Sequence, residues 1–105
     1  MNGRPISYAV VWRKDDGPIV PGQLQIAGDA IRLRGAAHGR PEEHAVPLAE
    51  IAEVRVANGP GERIHGLPSL LVELRSIERI FVAGIGGFGV VLELADRIAG
   101  ARALA

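Results

Sequence analysis

The sequence predicts a mainly β domain, a β-barrel or sandwich of seven antiparallel strands capped by one C-terminal amphipathic helix. Two observations carry that expectation. Short runs that alternate apolar and polar residues recur from residue 7 to residue 83, separated by turn-forming residues. From Phe88 the apolar spacing changes to steps of three and four, the period of a helix.

The elements follow in order. Ser7 to Arg13 is aromatic and β-branched and stops at Asp15-Asp16-Gly17-Pro18, a turn sequence. Gln23 to Ile26 and Ala30 to Leu33 alternate around Ala27-Gly28-Asp29 and predict a hairpin, whose first arm is the second strand, Val20 to Ile26. Gly35 to Pro41 reads as a loop, followed by strands at His44 to Leu48 and Ala52 to Ala57. Asn58 to Pro68, rich in glycine and proline, reads as a long loop. Ser69 to Arg75 places Leu70, Val72 and Leu74 on one face, and Ser76-Ile77-Glu78 turns the chain into Arg79 to Ala83. In the final segment Val91, Leu94, Ala95, Ile98 and Ala101 share one helical face, with Glu93 and Arg97 a favourable i,i+4 pair opposite. No strand follows the helix, so its apolar stripe must be buried against the strands already formed.

Composition narrows the classes. The 105 residues make one domain, 1–105, large enough for a core without staples. Without cysteine there is no disulfide, zinc–thiolate site or thiol nucleophile. A hydrophobic content of 48% is that of a folded chain. No apolar run reaches the roughly 18 residues of a membrane span, and Met1 to Pro5 leads into too short an apolar stretch for a signal peptide. A cytoplasmic location is the expectation. Lys and Arg number 12 and so do Asp and Glu, with a mild basic surplus before residue 40 and an acidic one over 41–78. That distribution has no nucleic-acid footprint but lets copies meet through opposite charges.

The hairpin Gly22-Gln23-Leu24-Gln25-Ile26 through Ile31-Arg32-Leu33-Arg34-Gly35 carries a resemblance, as does Val46-Pro47-Leu48-Ala49-Glu50-Ile51-Ala52-Glu53-Val54. So does the closing order of strand, turn, strand and helix. Together they resemble small bacterial members of the pleckstrin-homology (PH)-like superfamily over nearly the whole chain; an SH3-like barrel is the rival, and the terminal helix favours the PH-like fold. The best-known activity the resemblance implies is phosphoinositide head-group binding, through a lysine late in the first strand and a basic-x-arginine pair in the second. Arg13 and Lys14 match the first element, whereas the second strand has no basic residue and Arg32 and Arg34 come one strand later. Asp15 and Asp16 add negative charge to the intervening loop. Arg13, Lys14, Arg32 and Arg34 are thus the candidate anion-binding residues, against a plain reading as solvated arginines.

Two further patterns are weighed against plainer readings. Gly84-Ile85-Gly86-Gly87-Phe88-Gly89 fits G-x-G-x-x-G, but a dinucleotide fold needs a second parallel strand and an acidic residue about 20 positions on. A sharp strand-to-helix turn is the simpler account. His38 and His44 bracket Arg40-Pro41-Glu42-Glu43, and His65 lies in a separate loop. That spacing matches no standard ligand set, so no metal or cofactor is expected. Ser7, Ser69 and Ser76 have no histidine–carboxylate context, and the chain reads as a non-enzyme. The expected function is a protein-interaction module that self-associates through an unpaired edge strand, with anionic-ligand or membrane-surface binding as the alternative. Tyr8 and Trp12 share one face of the first strand and are expected to pack in the core.

Overall fold

The computed structural model describes residues 6–104, with side chains described up to residue 103; Met1 to Pro5, read above as no signal peptide, lie outside the described residues. Among the described residues, seven strands precede one helix. They are β1 (Ile6–Lys14), β2 (Val20–Ala27), β3 (Ala30–Ala37), β4 (Arg40–Pro47), β5 (Ile51–Ala57), β6 (Ser69–Leu74) and β7 (Arg79–Gly84), followed by α1 (Phe88–Leu104). A single 3-10 turn at Leu48–Glu50 joins β4 to β5. The strands form one open sheet in the order β4-β3-β2-β1-β7-β6-β5, antiparallel throughout. Pairing of Trp12 with Val82 and Val10 with Gly84 joins the N-terminal meander to the C-terminal one.

The period-2 pattern decides which face is buried. Val10 and Trp12, Leu24, Ile31 and Leu33, Val46, Leu70 and Val72, and Ile80 and Val82 meet in one core with Val91, Leu94 and Ile98 of α1. Each large side chain removed from water contributes about 1.5–3 kcal/mol of transfer free energy. Trp12 belongs to this core, and its indole N–H donates to the Arg34 carbonyl at 3.2 Å. Tyr8 packs against the same cluster, half-buried.

The structure differs from the expected strand pattern in two places. Gly35 to Pro41 is not a loop: β3 continues to Ala37, β4 begins at Arg40, and only His38-Gly39 forms the turn. Both turn residues have positive φ, 54° and 75°, as a type I′ hairpin requires. Gly35 is needed inside the strand, because it lies opposite Gly22 where β2 and β3 approach closely.

The second difference is the 58–68 segment. It folds over the outer face of the sheet, where Ile64 is fully buried with Ala57, Leu71, Phe81 and Ala83. Leu71 and Phe81 are therefore core residues on a face the alternation marks as solvent-facing. Polar groups pin the segment down: Ser69 Oγ donates to the Glu62 carbonyl at 2.6 Å, and the Gly59 amide donates to Glu62 Oε1 at 2.9 Å. That amide is the main reason the Glu62 carboxyl sits below its usual range.

The glycine motif has a structural use. A Cβ on Gly84 would lie 2.5 Å from Val90 Cβ, and Gly87 has φ 112°, so these glycines let the end of β7 turn directly into α1.

Candidate functional site

The open sheet leaves two edges, β4 and β5, and they are not equivalent. β4 contains Pro41 and Pro47, which have no N–H to offer a further strand, and Glu42 and Glu43 add charge. β5 has no proline and no lysine. Its start is occupied: Arg102 donates to the carbonyls of Ile51 and Ala52 at 3.1 and 3.2 Å. The same guanidinium lies in the last turn of α1, where a cation complements the helix dipole. A register shift between Ile51 and Glu53 ends this irregular part, and the regular edge runs from Glu53 to Ala57.

α1 is fastened to the sheet on both flanks. On one, Tyr8 Oη donates to Glu93 at 2.5 Å, and Asp96, Arg97, Gly100 and Ala101 line a shallow cleft with Ile6 and Ile26. Partial burial and the adjacent Glu93 carboxylate raise the Tyr8 hydroxyl above its ordinary range. On the other flank Arg102 reaches β5. At 100° per residue, Phe88, Leu92, Ala95 and Ala99 fall on the Arg102 side of the helix, toward β5. Phe88 and Leu92 are 47% and 48% exposed, and Val56 on the facing side of β5 is 37% exposed. Leu67 and Pro68 adjoin Phe88 around a small apolar hollow. The unpaired β5 edge is thus bordered by a strip of exposed apolar side chains, an arrangement able to accept another strand.

The four cations singled out in the sequence do not converge. Arg13 lies on the outer face of β1, its guanidinium 4.5 Å over the Phe81 ring, and donates to the Gly61 carbonyl, so it staples the 58–68 segment down. Lys14 points the other way and pairs with Glu78 at 2.5 Å. It borders a cleft of about 220 Å³ whose lining includes Trp12, Glu42, Glu43 and His44. Arg32 and Arg34 are exposed on β3, and Arg34 pairs with Glu43 at 3.1 Å. Register aligns Arg34 with Gln23 and Ala9, four residues along from Arg13 and two strands across. This spacing corresponds to about 13 Å along the strands and about 10 Å across them.

His38 is in the β3–β4 turn, His44 on β4 and His65 in the 58–68 segment, and no group of three potential metal ligands occurs among the described residues. Burial holds the His44 imidazole below its usual range, and the Lys14 charge acts in the same direction. The unfolded chain therefore takes up a proton at His44 more readily than the folded one. Stability should be unaffected by this group above pH 6.5 and fall as pH drops below it, down through the depressed folded value. Thermal melts between pH 7.5 and 5 should show that loss, and His44→Gln should flatten it.

No helix among the described residues is long and apolar enough to cross a membrane. No family model and no curated protein matches the chain. Among solved structures it is similar to the C-terminal domain of an unknown protein from Leishmania infantum, with a TM-score of 0.65 and 12% identity, over 90% of this chain and 82% of that one. At that identity the likeness is one of fold.

Proposed function

We propose that this chain is a non-catalytic PH-like interaction module, one that self-associates through the β5 edge and the exposed strip of α1 beside it. One observation carries the reading: the proline-free β5 has one unpaired edge, and Phe88, Leu92 and β5's own Val56 are large apolar side chains there, each more than a third exposed. Backbone donors and acceptors give such an edge affinity for another strand, and the apolar border supplies area to bury. The near-neutral net charge lowers the electrostatic barrier to association of like molecules. An anionic head group or other small anion is the alternative, and the separation of Arg13, Lys14, Arg32 and Arg34 gives it no common seat.

The wild-type protein should form a dimer or small ring in sedimentation equilibrium as concentration rises. Phe88→Asp/Leu92→Asp should weaken that association by about 30-fold or more, since a buried apolar anchor is worth about 2 kcal/mol. Its circular dichroism should be unchanged, because both side chains already face water. A strict monomer at millimolar concentration would overturn the proposal. Salt-sensitive co-sedimentation with anionic vesicles, lost in Arg32→Ala/Arg34→Ala, would favour the alternative.

A further inference from the structure

We infer that the partner at this edge is β5 of a second copy, paired antiparallel across a two-fold axis through Val54, so that Glu53 of each copy faces Arg55 of the other. The inference rests on the self-association proposed above and adds its register. A two-fold perpendicular to the sheet keeps every side chain on its own face, so a residue can oppose only itself or one an even number of positions away. Along the free edge, only three positions of the axis set Glu53 or Arg55 of one copy opposite Glu53 or Arg55 of the other. Centring on Glu53 opposes the two Glu53 carboxylates, and centring on Arg55 opposes the two guanidiniums. Centring on Val54 sets Glu53 against Arg55 twice and Val54 against itself. Like charges directly opposed on a sheet are destabilising and opposite charges stabilising, which selects the third register.

The monomer's own electrostatics point the same way. Within the sheet Glu53 lies directly opposite Glu73. Glu73 has a basic neighbour, Arg55 at 3.7 Å, which also reaches Glu62 at 3.3 Å. Glu53 is exposed and is in no ion pair among the described residues, so it faces a like charge without compensation. A partner's Arg55 would relieve that opposition. On the other face, the same axis puts the two α1 helices on one side of the joined sheet, with the Leu92 side of each turned toward the axis.

Charge reversal tests the register. Glu53→Arg alone and Arg55→Glu alone should each weaken self-association about tenfold, while an equimolar mixture of the two should recover a heterodimer. Cysteine pairing tests it independently, because the chain has no cysteine of its own. Directly opposed residues have Cα atoms about 4.5–5.5 Å apart, within the range a disulfide spans. Glu53→Cys and Arg55→Cys should not cross-link alone under mild oxidation, but a mixture should give a disulfide-linked heterodimer. If Arg55→Cys cross-links to itself, the axis passes through Arg55 and this register is wrong, although β5 self-association stands. If the dimer forms but is indifferent to both reversals and yields no cross-link, the edge is not the interface. A monomeric wild-type protein would instead remove the underlying self-association.

Discussion

Gly22→Ala is expected to be the most damaging small substitution in the chain, costing about 3 kcal/mol or more and abolishing folding in a marginal background. A Cβ at Gly22 would lie 1.8 Å from the Arg34 carbonyl oxygen and 2.6 Å from the Gly35 Cα. These are backbone atoms of the paired strand, so no rotamer change relieves the overlap; β2 and β3 would have to separate. Separation would also take the Arg34 carbonyl away from the Trp12 indole, which donates to it from the core. Gly35→Ala meets the Pro21 carbonyl oxygen at 2.3 Å and should fail similarly. Gly28→Ala is the informative contrast, because a Cβ there meets nothing within 4 Å and only its φ of 61° opposes the change. Urea unfolding should rank Gly22→Ala and Gly35→Ala well below Gly28→Ala; equal stabilities would show that the β2–β3 approach is not constrained.

Leu94→Ala should lower stability by about 2–5 kcal/mol, the range for a large side chain removed from a packed core. Leu94 is fully buried at the centre of the helix stripe, between Val91 and Ile98. Val91, Leu94 and Ile98 together hold the helix along its middle, whereas Tyr8 to Glu93 and Arg102 to β5 fix its flanks through polar bonds near water. A loss of that size corresponds to a fall in melting temperature of order 10–20 °C for a domain near 100 residues. Leu92→Ala, two residues away but about 200° round the helix and half-exposed, should change stability little while weakening self-association. The pair separates the helix's two apolar faces: one holds the fold and the other is the exposed face proposed to meet a second copy.

The two faces of α1 were unequally visible in the sequence. Val91, Leu94, Ala95, Ile98 and Ala101 mark the buried stripe because three- and four-residue spacing survives any tertiary arrangement. Phe88 and Leu92 fall off that stripe, and whether such apolar residues stay in water depends on where the sheet lies. The β5 strand was legible, but its being an edge was not: strand order is a matter of long-range pairing, which local alternation does not encode. The same holds for Arg13. In sequence it neighbours Lys14 and suggests one charged site, whereas pleating sends the two side chains to opposite faces of β1.

What the sequence determined by itself was the set of local structures: seven strands by period two, one helix by period 3.6, and turns where glycine, proline and aspartate interrupt them. These are short-range consequences of backbone geometry and side-chain patterning. The tertiary structure alone decided that residues 58–68 cover the outer face of the sheet, because Ile64 is buried only by residues such as Leu71 and Phe81, brought to it from other strands. It alone decided that one edge of β5 is left unpaired beside the exposed flank of α1, and that Glu53 lies opposite Glu73 on β6. Those facts arise from chain segments distant in sequence, and the physical forces that set them, burial and cross-strand charge, act between neighbours in space.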